Sequence, residues 1–134
     1  MKYLLDTCVI SDFVKGHPNV LKRLKYEQPN AIAVSSITVM EINYGMKLNP
    51  ARAKKIQHIV DRLLAMVNIL PYEQEDAATT GSIRSHLKTL GTPIGPYDVM
   101  IAGMALSRGL IMVTSNTQEF ERIVGLNLED WQDE

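Results

Sequence analysis

The sequence predicts an α/β protein: a central, mostly parallel sheet of four to five strands, flanked by helices on both faces. Two observations carry this. Short apolar runs of strand length recur at residues 2–6, 31–34, 67–70, 110–114 and 126–128, and runs without polar alternation belong to strands covered on both sides. Between them lie segments whose apolar residues recur at three- and four-residue steps, the period of a helix with one buried stripe. Strands that alternate with helices build parallel sheets with helices on each face. The 134 residues are enough for one domain, read as spanning 1–134.

Each element has a local cause. The run at 2–6 is followed by a short helix over 8–14, stopped by Gly16. Pro18 opens a second helix with Val20, Leu21 and Leu24 on one face. After the strand at 31–34, Ser35 or Ser36 can cap a helix over 37–46, because a serine oxygen accepts free amides of a first turn. Asn49-Pro50 opens a long helix to about Met66, striped by Ile56, Ile59, Val60, Leu63 and Leu64. The third strand ends at Pro71. A helix over 73–90 stops at Gly91, and 92–96 is a Gly/Pro loop. A nearly uncharged helix over 97–107 stops at Gly109. The strand at 110–114, a short helix over 118–123 stopped by Gly125, and a last strand at 126–128 complete the chain. Trp131 is expected to pack this last strand against the core. His17, His58 and His86 lack ligand spacing and read as surface residues.

Composition excludes several classes. No apolar run approaches the roughly 18–20 residues that cross a bilayer, and Asp6 interrupts the first apolar stretch of any secretion signal. One cysteine, Cys8, makes neither an internal disulfide nor a Cys-rich zinc site. A reduced, cytoplasmic protein is expected. The net charge of −1, taken alone, argues against a nucleic-acid partner. The total hides an asymmetry, however: residues 1–62 sum to +5 and residues 63–134 to −6.

Functional groups in such sheets gather at the carboxyl ends of strands. Asp6 ends the first strand among apolar neighbours; it either caps the next helix or serves a partner, because a buried carboxylate needs a proton or a cation. Asp98 stands in the first turn of the uncharged helix. A favourable contact with the helix dipole explains an Asp there, but not the absence of further charge until Arg108. Glu41 lies amid Ile37, Val39, Met40 and Ile42, and a surface glutamate is the alternative. Asn116 and Glu119 follow the fourth strand; Asn116 could equally cap the next helix. Converging carboxylates repel unless a cation sits among them. Oxygen-only ligands select Mg²⁺ or Mn²⁺, and such ions suit phosphodiester hydrolysis.

Four segments carry a family resemblance: Leu4-Leu5-Asp6-Thr7; Ser36-Ile37-Thr38-Val39-Met40-Glu41; Gly91 through Ala102 with its Gly-Thr-Pro-Ile-Gly-Pro-Tyr-Asp run; and Val113 through Ile123 with Gly125-Leu126 and Glu129-Asp130-Trp131. In this order and spacing the chain resembles the PIN-domain ribonucleases, and within them the VapC toxins of bacterial toxin–antitoxin pairs. The resemblance implies the PIN fold and a metal-binding, catalytic triad of Asp6, Glu41 and Asp98, with Mg²⁺ as cofactor and Mn²⁺ as a substitute. It implies a homodimer inhibited by a VapB-type antitoxin, whose tail can place an Arg among the carboxylates. Promoter DNA is bound only through that antitoxin. The substrate it implies is RNA, with the anticodon stem-loop of initiator tRNA as the expected target.

Thr7, Arg84, Asn116 and Glu119 are accessory candidates: Thr7 for holding Asp6 or the phosphate, Arg84 for a phosphate or a pocket carboxylate. Two positions depart from the family pattern. Asn116 stands where many members have a fourth Asp, and Glu119 can supply that charge. Cys8 stands where Asn or Ser is commoner, and a thiol is a weak hydrogen-bonding group. These departures motivate the alternative of a non-catalytic PIN-like module that binds RNA or protein. Phosphatase and phospho-acceptor readings fit less well, because Cys8 and Pro71-Tyr72 occupy the positions where those families need Asp. With the triad acids assigned to a metal pocket, the remaining charge is +2, and the basic N-terminal half reads +7. Its lysines and arginines suit an RNA backbone or an antitoxin.

Overall fold

The computed structural model describes residues 1–133. Five strands form one parallel sheet in the order β3-β2-β1-β4-β5. They are β1 (Tyr3–Leu5), β2 (Ile32–Ser35), β3 (Asn68–Leu70), β4 (Ile111–Val113) and β5 (Leu128–Glu129). Seven helices connect or follow them: α1 (Thr7–Lys15), α2 (Pro18–Tyr26), α3 (Ser36–Leu48), α4 (Pro50–Met66), α5 (Gln74–Leu90), α6 (Pro96–Arg108) and α7 (Thr117–Phe120). The α/β class and the helix-covered parallel sheet are those expected.

The pleat sorts side chains onto two faces. Leu4, Ala33 and Met112 point to a core shared with α5, α6 and Phe120 of α7. Tyr3, Leu5, Ile32, Val34 and Val113 point to a second core with α1, α2 and α4. Helix α6 answers the question its sequence raised. Val99 and residues 101–105 are all buried, because α6 is packed between the sheet and α5. At Gly103 the fit is close: a Cβ there would lie 1.9 Å from Thr80 Oγ1.

Several boundaries differ from expectation. Asp6 lies one residue past β1, as the N-cap of α1. A short 3-10 turn at Pro29–Ala31 precedes β2. Helix α7 ends at Phe120; beyond it Ile123 N and Leu126 N close successive turns, which let Phe120 and Ile123 both reach the core. Strand β5 starts at Leu128, because β4 pairs with the chain through Asn127 O and Glu129 O, while Leu126 packs on the core instead. His17 is half-buried at the start of α2, whereas His58 and His86 are exposed. Trp131 is buried, stacks edge-on against Tyr3 at 5.2 Å and donates to Glu129 at 3.1 Å, so the last strand is indeed pinned to the core. Among the described residues no helix is long and apolar enough to cross a membrane.

Candidate active site

β1 is the middle strand, so whatever follows it sits at the centre of the sheet's carboxyl edge. Asp6 follows it. Its backbone N–H still bonds Val113 O at 3.0 Å, and its side chain turns up to begin α1. Oδ1 accepts from Val9 N at 3.0 Å and from the Cys8 thiol at 2.9 Å. Asp6 is therefore a cap and a pocket carboxylate at once. Burial raises its pKa; the donors Cys8, Thr114 and Val9 oppose that rise by favouring the charged form.

Glu41 arrives from α3, which Ser35 starts by accepting from Ile37 N at 2.9 Å. The glutamate is half-buried, and Thr7 Oγ1 donates to its Oε1 at 2.7 Å. The buried Thr38 hydroxyl stands 3.2 Å from the Thr7 hydroxyl. Thr7 thus holds Glu41 rather than Asp6.

Asp98 arrives from the first turn of α6. Among the described residues no cation stands beside it. Its pKa is pushed up to about 6, first by burial and then by the charges of Glu119, Glu41 and Asp6. One carboxyl group thereby registers all three other sequence-predicted acids. Gly95, the residue before α6, leaves its side near Asp98 Oδ2 open.

Glu119 lies on α7, and Asn116 Nδ2 donates to its Oε2. Asn116 occupies the N-cap of α7 without a side-chain capping bond, so its amide serves Glu119 instead. Cys8 is half-buried, beside Asp6 and 3.4 Å from the Ser115 hydroxyl. Burial, then the Asp6 charge, push its thiol up to about 11, so it remains a protonated donor. Weak though a thiol is, here it does reach the first carboxylate.

The carboxylates influence one another from a distance. Among the described residues no three His, Cys, Asp or Glu side chains close into a ready metal cage. Like charges without a counter-ion stay apart. The donor set is all oxygen and lacks a neutralising cation, and that chemistry fits a hard divalent ion.

Arg84 is not among the groups facing these acids. It lies exposed on α5, in a cleft on the other side of α6's first turn. Sequence reasoning missed Thr38, Thr114 and Ser115 as the hydroxyl surroundings of Asp6 and Thr7. The signal available was their position directly at or after strand ends.

Sheet order and acidic edge define a class: a parallel α/β fold with carboxylates gathered over its central strands. The sequence profile of the PIN domain matches residues 3–126, and the chain belongs to that family. A tRNA(fMet)-specific endonuclease VapC from Salmonella typhimurium is 40% identical over 131 residues, covering 98% of each chain. Ribonuclease VapC2 from Haemophilus influenzae is 36% identical over 132 residues, again with 98% of each covered. Among solved structures, DNA-bound VapBC from Salmonella typhimurium matches with a TM-score of 0.90 and 39% identity, covering 98% of both chains. VapBC2 from Rickettsia felis, bound to a promoter DNA fragment, matches with a TM-score of 0.90 and 31% identity, covering 98% of this chain and 99% of that one. Within the PIN family this chain is of the VapC group, the ribonucleases of VapBC toxin–antitoxin systems.

Proposed function

We propose that the chain is a divalent-metal-dependent endoribonuclease toxin that cuts tRNA, with the anticodon stem-loop of initiator tRNA as its target. The observation that carries the metal reading is the state of Asp98: a carboxyl raised to about 6 by burial and by Glu119, Glu41 and Asp6. The substrate follows the name of the 40% identical relative from Salmonella typhimurium, a tRNA(fMet)-specific endonuclease.

Asp6, Glu41 and Asp98 would hold Mg²⁺, or Mn²⁺ in its place, with Glu119 as a further carboxylate. When bound, the metal supplies charge neutralisation at the scissile phosphate and activation of water. The chain's own residues do the positioning. Val9 N and Cys8 fix Asp6, Thr7 fixes Glu41, and Asn116 fixes Glu119. The two departures from the family pattern are both occupied in hydrogen bonds to acids, which favours the catalytic reading over a binding-only module.

The partners in this reading are a VapB-type antitoxin, promoter DNA through that antitoxin, and a second copy of the chain. The solved relatives are VapBC complexes, some with DNA. For the homodimer, α3 leaves Met40, Tyr44 and Leu48 exposed at four-residue steps, an apolar stripe that a second copy would cover. The place of action is the cytoplasm, and residues 1–134 act as one domain.

The test uses purified protein and initiator tRNA. Cutting should require Mg²⁺ or Mn²⁺ and stop with chelator. Asp6→Asn and Asp98→Asn should each abolish it without loss of fold. Cutting at the parent rate by both variants sinks the catalytic assignment. Cleavage confined to messenger RNA, with initiator tRNA intact, sinks the substrate.

A further inference from the structure

A cleft of about 810 Å³ lies between the second half of α5, the loop 91–95 and the start of α6. That is within the roughly 300–1,000 Å³ of ligand sites. Pro93, Ile94 and Pro96 give it accessible apolar surface above the buried Leu87 and Val99, and Arg84 and Lys88 stand one helical turn apart on its α5 wall. Both cations are exposed, and among the described residues neither has an acidic partner. The C-terminal dipole of α5 accounts for Lys88 in its last turn; it does not account for Arg84. The context sharpens the point. Residues 63–134 hold four cations against ten acids, and Arg108 is committed to Asp76. Two of the remaining three share this cleft. Pro96 and Val99, which line it, flank Asp98 in the first turn of α6. The cleft and the acidic centre thus flank the same turn of α6.

We infer that this cleft is an RNA subsite, which takes the backbone phosphates next to the cut on Arg84 and Lys88 and lays a ribose or base on Pro93, Ile94 and Pro96. Charge decides the occupant. A strand held at the carboxylates by one phosphate brings its next phosphates past α6, where two unpaired cations match them. A protein tail that offers a cation to the carboxylates gains nothing from two more cations across that turn. The inference rests on the endoribonuclease reading for its substrate class.

Its test separates the two. Binding of fluorescein-labelled initiator tRNA is followed by anisotropy in the Asp98→Asn background, with Mg²⁺ present and nothing cut. Arg84→Ala/Lys88→Ala should weaken binding about tenfold near 0.15 M salt and flatten the log–log salt slope by about 1.4, two single-strand contacts' worth. Lys2→Ala/Lys25→Ala removes equal charge from the basic N-terminal half, away from the cleft, and should weaken binding by about threefold or less. Melting temperatures report that each pair folds. Parent-like binding by the cleft pair, equal loss by the control pair, or no tRNA binding at all overturns the subsite. So does a cleft pair that loses affinity only for an antitoxin tail. Cleft-dependent binding by a protein that, with Asp98 intact, cuts no RNA leaves the subsite standing and removes the endoribonuclease reading.

Discussion

The Thr7 hydroxyl donates to the Glu41 carboxylate at 2.7 Å, tying the first turn of α1 to the second turn of α3. A glutamate has three rotatable bonds, and this contact restricts them. Groups that orient metal-binding carboxylates commonly matter about 10–100-fold in affinity or activity. Thr7→Val keeps the shape and loses the donor. It should raise the Mn²⁺ concentration that gives half-maximal cleavage by about tenfold, and Thr7→Ser should restore it. A Thr7→Val protein with the parent metal midpoint would show that Glu41 is held otherwise.

Asp98 predicts opposite effects on stability and activity. Its folded pKa, about 6, exceeds the ordinary 3.8. The metal-free folded state therefore binds the proton more tightly than the unfolded chain. The stabilisation this gives is complete below 3.8 and is lost as pH rises through 6. Asp98→Asn should accordingly stabilise the metal-free protein at pH 7.5 by about 1 kcal/mol, and so raise its melting temperature, while abolishing cleavage. Metal must displace that proton, so Mn²⁺ affinity of the parent should climb with pH and level off above about 6. Thermal melts with chelator across pH 4–8 measure the first effect and Mn²⁺ titrations the second. A metal-free parent that gains stability between pH 4 and 7 relative to Asp98→Asn contradicts the assignment.

Much of this geometry was legible in the residues, and the limits are physical. The apolar runs at 2–6 and 110–114 mark β1 and β4 because central parallel strands are buried on both faces. Asp6 and Asp98 stood out because each is a charge among apolar neighbours. Glu41 does not stand out, since an amphipathic helix carries many such glutamates; the contact with Thr7, 34 residues away, and its charge acting on Asp98 distinguish it. The last strand was misplaced because Leu126 is as apolar as Leu128, and pairing with β4, not hydropathy, selects Leu128–Glu129. The same holds for Arg84. A lone arginine in a sequence carries no direction, and its separation from the acids by the first turn of α6 is a property of the α5–α6 pairing.

Cys8 should be chemically quiet. Its thiol is pushed up to about 11 by burial and by Asp6, from an ordinary 9.0. Only the thiolate attacks alkylating agents, so two pH units imply labelling about a hundredfold slower than for a free thiol at pH 8. Iodoacetamide should modify the folded protein slowly and the denatured chain readily. Rapid labelling at pH 8 in the folded state would contradict the protonated donor that Asp6 is shown to accept from. Cys8→Ala removes that donor and should lower cleavage without unfolding the protein.

Arg108 fixes the far end of the helix that carries Asp98. Its guanidinium bonds Asp76 Oδ1 at 3.2 Å, Asp76 Oδ2 at 2.7 Å and Pro71 O at 2.7 Å. Ser107 and Glu73 N complete the shell around this buried carboxylate. Burial alone would raise the Asp76 pKa; the bonds from Arg108, Glu73 N and Ser107 outweigh it and hold the group below its ordinary 3.8. The stability Asp76 contributes is therefore present above 3.8 and lost as pH falls through the lower folded value. Arg108→Ala leaves a buried carboxylate without its counter-ion and should cost about 3–5 kcal/mol in urea unfolding at pH 7. Asp76→Asn in the same background should recover part of that loss, because the uncompensated charge is gone. The double variant also separates fold from chemistry: Arg108 touches none of the pocket acids, so cleavage per folded molecule should remain close to the parent's at temperatures well below the melt. A double variant as unstable as Arg108→Ala would mean that Arg108 acts through Pro71 O and packing rather than through the Asp76 charge.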